Sequence, residues 1–158
     1  MKKIVLIGLT LVALLGMAAL SAAQGGLYDK LLTIADVQSV GKMTGLKLIP
    51  YDPSKGAGGD LNFARADGNM ALLVQFQTMD AKRWEKNKAA QKNYIRGPVA
   101  GLGDEAFDGP PGNFPYALTI RKGNRVIALS SFLDTNTGKF IFSMEQLTAL
   151  AKIILGRI

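Results

Sequence analysis

Two runs of apolar, strand-forming residues, each doubled back at a glycine, constrain this chain more than any other feature. Leu61 and Phe63 and then Met70 to Phe76 flank Asp67-Gly68, a pair that favours the positive φ of a type I′ turn. Ala117 to Ile120 and Arg125 to Phe132 flank Lys122-Gly123-Asn124, and the run after that turn is rich in β-branched and apolar residues. Turns this tight require antiparallel pairing. Both hairpins lead into segments of helical period. The expected fold is therefore α+β: a two-layer domain with an antiparallel sheet of two hairpins plus short strands, and amphipathic helices packed on one face. The order helix, strand, hairpin, helix, then strand, hairpin, helix hints at a duplicated unit, but identity between the halves is too low to establish one.

Local signals place three helices. Thr33-Ile34-Ala35-Asp36 reads as a capping box, with Ile34, Val37 and Val40 at helical spacing and Gly45 as the stop. Leu46 to Tyr51 is extended, and Ser54 to Gly59 is a flexible loop without the features of a phosphate loop. Asp80 caps a second helix over Ala81 to Asn93, and Met79 staples against Trp84. Trp84, Asn87, Gln91 and Tyr94 share one arc of that helix, which makes Trp84 its core anchor. Ser143-x-x-Gln146 opens a third helix, whose stripe of Leu147, Leu150, Ala151, Ile154 and Ile158 covers the sheet.

The first 23 residues read differently. Met1-Lys2-Lys3, an uncharged apolar run from Ile4 to Leu20 and the small residues Ser21-Ala22-Ala23 have the layout of a bacterial-type secretory signal peptide. Cleavage after Ala23 would leave a single globular domain over residues 24–158, in a periplasm or outside the cell. The loss of Lys2 and Lys3 lowers the net charge from +7 to +5. The 158 residues contain neither Cys nor His. That excludes disulfides, thiolate or imidazole metal sites, a cysteine nucleophile and an imidazole base.

Gly101-Leu102-Gly103-Asp104-Glu105-Ala106-Phe107, followed by a strand, Arg121-Lys122-Gly123 and a Leu/Ala-rich C-terminal helix, resembles certain small exported bacterial proteins of unknown function. Leu32-Thr33-x-x-Asp36-Val37 is similar to their opening segment. Many such proteins are lipoproteins, and this chain departs from them in having no Cys to carry a lipid. The resemblance implies a small exported α+β module and transfers no activity, cofactor or catalytic residue.

Residues 80–96 carry the leading candidate site. Lys82, Arg83, Lys86, Lys88, Lys92 and Arg96 stand there against Asp80 and Glu85, so the segment holds +4 of the mature charge. Such a face suits phospholipid headgroups, an acidic polysaccharide or an acidic protein partner, and the competing reading is a solvated helix kept soluble by lysines. Asp134, Asn136 and Glu145 have part of a calcium-loop spacing. Gly138 and Lys139 occupy the fifth and sixth positions, however, so an Asx-type turn is expected and no metal. Asp104, Glu105 and Asp108 offer paired carboxylates for hydrolysis, against the reading of a polar turn. Ser130 and Ser131 offer parts of a Ser/Lys pair with no motif linking them. Pro110 to Tyr116 combines rigid prolines with two aromatics and reads as a stiff crossover.

These features point to an exported, non-enzymatic binding or interaction module without a cofactor. Its ligand is not legible and no nucleic-acid partner is expected, since no base-reading motif is present. The alternatives are a structural subunit of an envelope assembly and a carboxylate-based hydrolase.

Overall fold

The computed structural model describes residues 28–50, 60–109 and 116–158. The segment expected to be a signal peptide, the glycine-rich loop and residues 110–115 of the proline-rich stretch lie outside them. Among the described residues, three α-helices accompany a seven-stranded antiparallel sheet and a two-stranded one. The helices are α1 (Ile34–Gly41), α2 (Ala81–Ala90) and α3 (Met144–Leu155). The main sheet comprises β1 (Lys47–Ile49), β2 (Leu61–Ala64), β3 (Met70–Thr78), β4 (Gly97–Pro98), β5 (Glu105–Asp108), β6 (Ala117–Lys122) and β7 (Arg125–Ser131). Its order is β1-β2-β3-β7-β6-β5-β4, with the two hairpins meeting at β3 and β7. The small sheet pairs β8 (Leu133–Asp134) with β9 (Lys139–Phe140). The α+β class and the antiparallel pairing are as the sequence predicts.

The two turns differ from each other. The β6–β7 loop has two residues, with Gly123 at φ +62°, and Lys122 pairs directly with Arg125. The β2–β3 loop is one residue longer than a type I′ turn. The Gly68 amide donates to the Arg65 carbonyl at 2.9 Å, so Ala66 and Asp67 form the turn, and Gly68 alone has positive φ, at +85°. The Asp67 carboxylate accepts from the Asn69 amide at 3.0 Å, which stabilises this three-residue form.

Pairing register assigns the faces. On the first face Phe63, Leu72, Leu129 and Leu118 lie in successive strands, and Val74, Ile127, Ile120 and Ala106 fill the same core. Val37 of α1 and Leu147, Leu150, Ala151 and Ile154 of α3 close over them, each fully buried. Burial of each Leu or Ile contributes about 2 kcal/mol. Both predicted capping boxes are present: Thr33 exchanges hydrogen bonds with Asp36, and Ser143 with Gln146. α1 ends earlier than Gly45, because Lys42 takes the left-handed cap at φ 52°. Gly41 just before it leaves room for the Phe142 ring, which a Cβ would approach to 2.8 Å.

α2 is on the other face, contrary to the expectation of one helical face. Glu105, Phe107, Arg121 and Val126 alternate with the core residues, and Trp84 of α2 packs among them. The second face is also shielded at its centre, where Leu73, Ala117, Thr119, Ala128 and Ser130 are buried. The domain therefore has helices on both sides of the sheet. A twofold axis normal to the sheet would exchange β3 with β7 but keep their helices on one face. The chain order repeats without that symmetry.

Candidate functional site

The basic segment is built around one side chain. Asp80 caps α2 by accepting from the Arg83 amide at 2.7 Å, and Met79 is buried beside Trp84 as a staple. Of the ten residues of α2 only Trp84 is buried. Its ring lies 5.5 Å from that of Phe107, its Nε1 donates to Glu105 Oε2 at 2.7 Å, and the Arg121 guanidinium sits over it at 5.9 Å. α2 stops at Ala90 rather than continuing to Asn93. A 3-10 turn, Lys92–Tyr94, follows and swings Tyr94 out of the Trp84 arc, leaving it 60% exposed.

The six candidate cations divide into two groups. Lys88 turns inward, with Nζ 2.8 Å from Glu105 Oε1 and 3.0 Å from Glu85 Oε2. Glu105 and then Glu85 raise the Lys88 pKa, and Lys88 in turn lowers that of Glu105. Arg96 is held by Asp108 through Nε at 2.9 Å and a second contact through Nη2, and lies over the Tyr116 ring at 5.3 Å. Lys82, Arg83, Lys86 and Lys92 are exposed and form no ion pair among the described residues. The segment thus exposes four cations and Tyr94. Dispersed point charges of this kind attract an extended anionic surface without demanding one fixed geometry.

The carboxylates of the Gly101–Phe107 motif and its neighbour Asp108 each have a structural partner. Asp104 Oδ2 accepts from the Gly123 amide at 2.6 Å, Glu105 holds Trp84 and Lys88, and Asp108 holds Arg96. Gly103 is at φ +56°, and a Cβ there would fall 2.3 Å from the Arg121 carbonyl oxygen, so only glycine fits this approach. Asp134 makes the predicted Asx turn, accepting from the Asn136 amide at 2.9 Å, and its other oxygen accepts from Arg65 at 3.1 Å. No group of metal-ligating side chains assembles among the described residues. Ser131 Oγ accepts from the Phe142 amide at 2.8 Å, and Ser130 is fully buried. Tyr116, the last residue of the crossover, stacks on Phe140 at 4.4 Å and accepts from the Met144 amide.

Two grooves were not anticipated from sequence. One, of about 520 Å³, lies between the β2–β3 turn and the β8–β9 hairpin, with Arg65 bridging Asp134 and Asp67 along it and Lys139 nearby. The other, of about 510 Å³, is at the Phe76 end of the sheet. Its sequence signal is Arg125, a charge in phase with the core residues Ile127 and Leu129 of β7. Comparison with family models, with curated proteins and with solved structures finds no match to this chain.

Proposed function

We propose that this chain is an exported, non-enzymatic binding module that uses α2 to engage an anionic component of the bacterial envelope. The kinship with small exported proteins belongs to the same proposal. The observation that carries it is four exposed cations without an ion pair among the described residues: Lys82, Arg83 and Lys86 on a helix fixed by a single buried indole, and Lys92 in the 3-10 turn after it. Near an anionic lipid surface each such residue contributes about 1 kcal/mol. Four together supply about 4 kcal/mol, roughly a thousandfold in partitioning. Tyr94 adds an amphipathic ring suited to an interface. Among the described residues no helix is long and apolar enough to cross a membrane.

Co-sedimentation with phosphatidylglycerol vesicles, and retention on a polyanion resin, test the contact. The K82E/R83E/K86E variant is expected to lose both while its circular dichroism is unchanged, and the wild type is expected to release as salt rises through 0.1 M to about 1 M, where screening becomes short-ranged. Equal retention of variant and wild type would reject the role. Export is tested by sequencing the N-terminus of protein from the envelope fraction: a start at Gln24 supports it, and intact chain confined to the cytoplasm refutes it.

A further inference from the structure

On the first face of the sheet Thr78, Arg125 and Lys122 pair across β3, β7 and β6, and the Leu155 carbonyl at the end of α3 accepts from Lys122 Nζ at 3.3 Å. Half-buried Phe76 and exposed Arg125 line the groove of about 510 Å³ at that end, beside the buried Ile127 that pairs with Phe76. That volume lies within the range of small-molecule sites. Tyr28 lies flat on Phe76, centroids 4.4 Å apart and planes within 3°, which fixes an apolar wall. Leu31 and Ile158 extend it.

Two guanidiniums reach this groove and differ in their state. Arg157 is spent on Asp36, with contacts of 2.6 and 3.0 Å, and also donates to the Leu31 carbonyl at 3.3 Å. Arg125 is exposed and forms no ion pair among the described residues, and no Asp or Glu lines the groove. The groove thus offers one uncompensated planar cation at the edge of an apolar surface. A guanidinium presents paired donors that match a carboxylate. We infer that this groove binds a single-chain amphiphilic carboxylate, its head on Arg125 and its apolar body along Phe76, Leu31 and Ile158.

Calorimetric titration of the purified protein with sodium decanoate, below its micellar range, tests the inference. Saturable binding of one decanoate per chain is expected, weakened at least tenfold by Arg125→Gln and partly restored by Arg125→Lys. Decanol is expected to bind more weakly than decanoate and to be indifferent to Arg125→Gln. The K82E/R83E/K86E variant is expected to bind decanoate as the wild type does, since the groove owes nothing to α2. Equal decanoate affinity in wild type and Arg125→Gln, decanol binding as tight as decanoate, or no saturable binding would each overturn the assignment. Arg125 is exposed beside a turn, so its replacement leaves the fold intact, as an unchanged thermal transition would verify.

Discussion

The two faces of one sheet hold their helices by different means. On the first, α3 lays a continuous apolar stripe over β6 and β7 and packs with α1, so several side chains share the attachment. On the second, α2 is attached by Trp84 with Met79, Phe107 and Val126, together with the bonds of Glu105 to Trp84 and Lys88. A broad apolar stripe leaves a helix little outward surface of its own, whereas a single indole leaves nearly every other position unconstrained by packing. Cations can accumulate on α2 because the fold asks so little of it.

If that contrast is right, truncation on the two faces should differ in kind as well as in size. Phe63→Ala, deep in the first core, should cost about 4 kcal/mol, and denaturant unfolding should show the whole domain weakened together. Trp84→Ala should cost about 3 kcal/mol, with hydrogen exchange showing α2 amides losing protection ahead of the sheet. A loss of less than about 1 kcal/mol would place Trp84 outside any core, and uniform loss of protection would show that α2 is no separate unit.

A smaller effect sharpens the same comparison through charge. Hydrogen bonding from Arg157 holds the Asp36 pKa at about 2, below its usual 3.8. A carboxylate lowered in the folded state contributes fully above its unfolded pKa, and the contribution disappears as pH falls from about 4 to about 2. Arg157 is 38% exposed, so solvent screening reduces the effect to about 1 kcal/mol. Asp36→Asn should flatten the stability profile over that pH window. An unchanged profile would show that the pair adds nothing to the α1 side.

What the sequence made legible was local. The capping boxes at Thr33 and Ser143 and the Met79–Trp84 staple involve residues within one or two turns of each other, and all three are present. The face chosen by α2 depends on which side of β5, β6 and β7 carries Phe107, Arg121 and Val126, a matter of register between distant segments. For the same reason the inward pairing of Lys88 and Arg96 was not visible, since their partners Glu105 and Asp108 are on β5. The four outward cations of α2 and the turn after it were among the six expected, and the Arg125 groove was missed because its walls come from opposite ends of the chain.

The ends of the sheet bear on how this protein behaves among its neighbours. One border strand, β1, is three residues long, and the other, β4, is two residues long and includes Pro98, which has no amide hydrogen to donate. Among the described residues neither border offers a long run of free amides and carbonyls, which disfavours strand addition from copy to copy. Short borders of this kind favour a domain that stays apart from its own copies at high concentration.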